Sequence, residues 1–288
     1  MVFFLALLAA FGCALFNGIS AILQKIGADK EKQASSLRTG MMLRLLKDWP
    51  YLAGVLLDLL AGVLTLVAVH SLPLFVAQPI IALSVVVTLL IEIVVFNVKP
   101  NKIIAAAFVI IVAGLALLMI SANAKSAISV SSLVKTIITT APLLLAVIGI
   151  VFVKGKSFMS TAILAGVSGL AFGGTSIVGR MLNWQKPFWH EIFSLLFLAL
   201  VAYGLVGILL FTVALQRHKA SVINCIMIIF ETLTPTFIGL LFLGDRPKHG
   251  FWPLMIIGLV VTIIGILVIA ADSSKIEASS TKLSKVLA

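Results

Sequence analysis

Apolar residues run in nine nearly charge-free stretches, 2–23, 50–69, 74–96, 103–122, 133–153, 158–182, 193–215, 220–243 and 251–271, parted by short polar turns. Each holds about 20 residues, the length an α-helix needs to cross a hydrocarbon core of roughly 30 Å. In lipid, a segment that is not part of a closed barrel satisfies its backbone polar groups only as a helix. The pattern therefore predicts an all-α, polytopic membrane protein of about nine transmembrane helices.

The pattern also repeats. Phe16-Asn17-Gly18-Ile19-Ser20 in the first stretch returns as Phe172-Gly173-Gly174-Thr175-Ser176 in the sixth. Val67-Ala68-Val69 returns as Val213-Ala214-Leu215, and Lys99-Pro100 as Arg246-Pro247. Two four-helix repeats are expected, 2–122 (with a cytoplasmic loop at 24–49) and 158–271, joined by a linker helix at 133–153 and followed by a disordered tail at 272–288. An odd span between the copies turns the second upside down. Inverted repeats are how carriers open alternately to either face of a membrane. Within the first loop, 37–47 mixes apolar residues with three cations, which reads as a helix lying at the membrane surface or as a vestigial tenth span.

Composition agrees: 61% of residues are hydrophobic and 11% charged, against about 45–50% and 25% in an ordinary soluble domain. The net charge of +11 invites a nucleic-acid reading, but its distribution argues against one. Lys25, Lys30, Lys32, Arg38, Arg44, Lys47, Lys99, Lys102, Lys154, Lys156, Arg217, Lys219, Lys275, Lys282 and Lys285 fall on one side of a nine-span map. Lys125, Lys135, Arg180, Lys186, Arg246 and Lys248 fall on the other. Fifteen against six is the bias of cytoplasmic loops. It places the N-terminus outside and the C-terminus in the cytoplasm of a plasma or inner membrane. The first stretch has no preceding positive charge and is needed by the repeat, so it reads as an uncleaved span rather than a signal peptide.

Polar groups inside spans are costly and point to function. Glu231 lies mid-span in the eighth stretch and Asp58 deep in the second; Glu92 is nearer the cytoplasmic end of the third. Gln78-Pro79 and Asn224-Cys225 occupy matching places in the two repeats. Pro79 and Pro235 each remove a helix hydrogen bond, and broken helices near the midplane are where carriers build sites. Asn17 and Ser20, three residues apart, share a helix face, and Ser176 is the repeat counterpart of Ser20. Substrate binding or coupling is thus assigned to Glu231, Asp58, Gln78, Asn224, Asn17, Ser20 and Ser176, with interhelical hydrogen bonding as the competing account of each. Arg180 is expected to snorkel to headgroups, and His70 to sit at the interface. Gly169 with Gly173, and Gly258 with Gly265, are expected to let helices approach.

The stretch Phe16-Asn17-Gly18-Ile19-Ser20-Ala21-Ile22-Leu23-Gln24-Lys25 resembles the opening of drug/metabolite transporter superfamily proteins. So does Leu72-Pro73-Leu74-Phe75-Val76-Ala77-Gln78-Pro79-Ile80-Ile81-Ala82-Leu83. Gly244-Asp245-Arg246-Pro247 is similar to that superfamily's Gly-Glu-Arg turn, with Asp245 in place of the Glu. The four-plus-one-plus-four layout resembles the branch of the NIPA-like magnesium transporters more than the ten-span EamA proteins. The resemblance implies a pathway between the two repeats for a metabolite, amino acid, nucleotide sugar, drug or divalent cation.

The leading expectation is a small-solute carrier, with proton coupling through Glu231. A magnesium transporter and a non-transporting membrane scaffold are the alternatives. No His-Glu-x-x-His, Gly-x-Ser-x-Gly or phosphate-loop motif occurs, so no enzyme, cofactor or metal centre is expected. The expected partners are a small-molecule or ion substrate, the lipid bilayer and a second copy of the chain, with nucleic acid excluded.

Overall fold

The computed structural model describes residues 2–33, 48–96, 102–123, 130–155, 157–182, 194–217 and 220–287. Among these it is entirely helical: α1 Val2–Gln33, α2 Trp49–Ser71, α3 Leu74–Ile81, α4 Ser84–Phe96, α5 Lys102–Ser121, α6 Ser132–Val153, α7 Phe158–Met181, α8 Leu195–Arg217, α9 Ala220–Phe242 and α10 Trp252–Leu287. Eight helical segments are long and apolar enough to cross a membrane, and α9 adds a shorter apolar stretch, Ile226–Phe242. This is the make-up of a multi-pass membrane protein.

The ends follow local chemistry. Asp48 precedes α2 in extended conformation, and Pro50 sits in its first turn, where a missing N–H costs nothing. Ser131 and Ser157 cap α6 and α7 by accepting from Val134 N and Ser160 N. Gly244, at φ 73°, turns the chain out of α9.

Three expectations change. Helix α1 does not stop at residue 23 but continues through Lys25, Lys30 and Lys32 to Gln33. Helix α10 runs on to Leu287, through the tail expected to be disordered. The physical reason is common to both: apolarity marks where lipid ends, whereas 24–33 and 266–287 contain no Pro to end a helix, and the helix passes through the one glycine there, Gly27. The third stretch is two helices rather than one, broken at Ala82–Leu83. The surface helix or tenth span expected at 37–47 lies outside the described residues.

Helix α7 is the hub. In its span 72% of residues are buried, against 22% for α2 and for α6. Its small residues explain this, because they let neighbouring backbones come close. A Cβ on Gly169 would run into the Met227 carbonyl oxygen of α9, and one on Gly173 would stand 2.9 Å from Pro235 Cδ. On another face Gly174 receives the Tyr203 ring of α8, whose hydroxyl donates to Ile138 O of α6 at 2.9 Å. Helices α5 and α10 meet the same way, with Gly114, Gly258 and Thr262 at the contact. Across the chain's two halves, α3 packs on α9, α5 on α10 and α2 on α7.

Candidate functional site

Helix α3 is buried along its whole length and positions the interior polar groups. Leu74 at its start lies against Gly239 near the end of α9, 3.2 Å from where a Cβ would stand. Gln78 and Pro79 follow one turn along α3; on α9, Pro235 and the Glu231 backbone face Gly173 and Gly169 of α7. Pro79 has no N–H to give the Phe75 carbonyl, and Leu83 N bonds Ile80 O at 3.0 Å instead of Pro79 O. Gln78, 2% exposed, has no hydrogen-bond partner for Nε2. A buried, unmade hydrogen bond costs about 1–3 kcal/mol. The seam therefore carries unsatisfied polarity on both backbone and side chain.

A second group of polar side chains gathers around Cys13 on α1. Its thiol lies 3.0 Å from Thr65 Oγ1 of α2 and receives Asn17 Nδ2 at 3.5 Å. Asp58 of α2 and Glu231 of α9 both lie close enough to act on it electrostatically. Of the residues singled out from sequence, Asn17 belongs to this group by a hydrogen bond, and Asp58 and Glu231 reach it only through their charge. Glu231 is half-buried and Asp58, expected to be deep, is exposed. Among the described residues no three His, Cys, Asp or Glu side chains group as metal ligands.

One end of this seam is closed. Arg180, at the last turn of α7, donates from Nη1 to Val69 O (2.9 Å), His70 O (2.9 Å) and Leu72 O (2.7 Å), where α2 ends. Its Nη2 meets Asp245 Oδ1 at 2.6 Å, and Asp245 Oδ2 accepts Leu74 N at 2.7 Å, where α3 begins. A guanidinium on orphan C-terminal carbonyls and a carboxylate on an orphan N-terminal N–H each match the helix dipole they face. Burial pushes the Asp245 carboxyl above its ordinary range, and the Arg180 guanidinium pulls it back. The same turn also clasps α5, Lys248 N bonding Ser121 O at 2.9 Å and Lys248 Nζ bonding Ile120 O at 3.1 Å. Leu66 and Val69 of α2 close against Gly179 here. At the other end no comparable contact joins α1 and α8 among the described residues.

Arg180 is accordingly corrected: it does not snorkel, because its side chain is fully withdrawn from solvent and paired. Ser20 Oγ donates across to Gly54 O of α2 at 2.9 Å, while Asn17 Nδ2 points to Cys13. Ser176 is buried within α7, and His70 is exposed at the end of α2. Pro235 does not break α9, which passes through it; the packed Gly173 holds it in place. The side chains of Asn224 and Glu92 lie outside the described residues. Cys13, Thr65 and Asp245 were not proposed as functional; Asp245 was visible in the Gly-Asp-Arg-Pro turn, whereas Cys13 and Thr65 gave no signal. A cleft lined by Ile228, Thr232, Ile263 and Ile266 holds about 10 Å³, room for one water at most.

Compared with protein-family models, with curated proteins and with solved structures, the chain matches none.

Proposed function

We propose that the chain is a membrane carrier that moves a small solute by alternating access between two inverted halves. The observation that carries this reading is the broken helix α3–α4, with Pro79 and a buried Gln78 amide nitrogen that has no hydrogen-bond partner, packed on the helix α9 that carries the half-buried Glu231. Interrupted helices at depth in a bilayer belong where polar groups meet a solute or ion. The packing supports two related halves. Any two-fold relation between them would map the α3–α9 and α5–α10 contacts onto themselves, and α1–α2 onto α7–α8; all four are present, and the inversion is argued from the odd span between the copies. Charge bias puts the α2–α3 turn, Arg180 and Asp245 on the outer face, so this conformer is closed outward. No bond-making step is assigned to any residue.

A ligand screen by thermal shift on the purified protein tests the reading, because a specific binder stabilises the folded state by mass action. Hits are then followed as uptake into proteoliposomes. The expected result is a stabilising solute whose uptake Glu231→Gln abolishes. Uptake by Glu231→Gln with unchanged rate and pH dependence removes Glu231 from coupling; no binder and no uptake leaves a scaffold.

The second reading is a divalent cation as cargo, suggested by the two acids within spans, Asp58 and Glu231, since magnesium prefers oxygen ligands. Magnesium uptake by the same proteoliposomes separates the two.

A further inference from the structure

The closed end has a property that goes beyond the carrier reading and rests on it. Three hydrogen bonds from Arg180, to Val69, His70 and Leu72 O, and one from Leu74 N to Asp245 tie the second half to a single turn of the first, and the Arg180–Asp245 ion pair, both members of which belong to the second half, holds the two clasping side chains together. The turn must part if a solute is to leave that way, because Leu72, Leu74, Phe75 and Val76 beneath it are completely buried. Room for the lock is built in: a Cβ on Gly239 would stand 2.7 Å from Asp245 Oδ2.

The repeat shows whether the opposite end has the same device. Aligning Phe16 with Phe172 sets Gln24 where Arg180 stands, and aligning Lys99-Pro100 with Arg246-Pro247 sets Val98 where Asp245 stands. Neither counterpart carries a charge. The two matching positions, Gln24 and Val98, therefore do not make an ion pair with each other.

We propose that Arg180 and Asp245 are a one-sided outer gate: the pair locks the carrier against the outside, and the matching inner positions, Gln24 and Val98, hold no such pair. The two faces thus differ in how firmly they are shut, and the resting protein is sealed outward. Opening outward requires Arg180 to leave three carbonyls and Asp245 to leave Leu74 N together, so it is the slower of the two movements.

Cysteine accessibility tests this without any substrate. Val76→Cys is placed in a background of Cys13→Ser and Cys225→Ala, and right-side-out vesicles are treated with a membrane-impermeant thiol reagent. With the pair intact, Cys at 76 is protected. In Asp245→Asn, which keeps an acceptor for Leu74 N but loses the charge, labelling from outside rises at least tenfold. Arg180→Lys, which keeps the charge but cannot reach all the carbonyls, gives a smaller rise and covers the case in which Asp245→Asn does not fold. Monodisperse elution and helical circular dichroism establish that each variant is folded. Labelling at the parental rate in folded variants overturns the gate and leaves a static staple, as does free labelling with the pair intact. Labelling confined to inside-out vesicles overturns the assignment to the outer face. Absence of uptake alongside the expected labelling would sink the carrier reading alone.

Discussion

Arg180 Nη2 and Asp245 Oδ1 stand 2.6 Å apart across 65 positions of sequence, with both side chains withdrawn from water. Among the described residues these are the buried charged side chains. Desolvating two ions is repaid only when the geometry is good and the remaining donors and acceptors are satisfied. Here the Val69, His70 and Leu72 carbonyls and the Leu74 amide supply part of that compensation.

Breaking the pair from one side leaves the other charge buried. Asp245→Ala should therefore destabilise the protein by about 3–5 kcal/mol, whereas the double apolar variant Arg180→Met/Asp245→Leu should cost far less. Thermal unfolding in detergent, followed by circular dichroism, compares them. Equal losses in the two would mean that packing, and not charge, holds this end.

Gly239 makes room for that carboxylate. Gly239→Ala puts a methyl 2.7 Å from Asp245 Oδ2 and 3.2 Å from Leu74 Cβ and Cδ1. Overpacking of this kind costs about 1–3 kcal/mol. The same substitution at Gly204, where a Cβ meets nothing within 4 Å, should stabilise by about 0.5–1 kcal/mol through helix propensity. Opposite signs in the two melting shifts are the expected result.

The α7–α9 contact leaves still less space. Gly169→Ala drives a methyl into backbone, the Met227 carbonyl oxygen and Glu231 N, and backbone cannot rotate away as a side chain can. A loss of about 1–3 kcal/mol is expected, larger than for Gly12→Ala, which meets a single Leu64 methyl at 3.1 Å. Unfolding midpoints of the two variants decide it.

At Gln78 stability and function should part company. Gln78→Leu removes an unmade hydrogen bond in an apolar surround and should raise stability by about 1 kcal/mol, while lowering solute uptake. A variant that loses stability would show that the amide has a partner in the folded protein.

The spans were legible because each needs a run of apolar residues long enough for the bilayer, and little else fixes their number. Charge bias and repeated pentapeptides needed no structure either. What stayed hidden is pairing between distant elements. Arg180, seen alone at a span end, looks like any cation reaching for headgroups; its partner lies after the next two helices, and three of its acceptors are backbone carbonyls that no side chain announces. Cys13 and Thr65 were silent for a similar reason, since a thiol and a hydroxyl in apolar helices look like filler until α1 and α2 are set side by side. Pro79 did signal trouble in the third span, but the break falls three residues on, at Ala82–Leu83, where no Gly or Pro marks it.

Helix α10 is one rod of 36 residues, about 54 Å at 1.5 Å per residue and nearly twice the roughly 30 Å of hydrocarbon it crosses. Because α10 packs on α3, α4, α5 and α9, it touches elements from both halves of the molecule. Its projecting part is a pointer rigidly attached to the bundle. A tilt of about 10° at the membrane would sweep the tip through about 5 Å for a projection of about 27 Å, so a fluorophore placed near Leu287 should report small rearrangements at the buried seam as movement in open water.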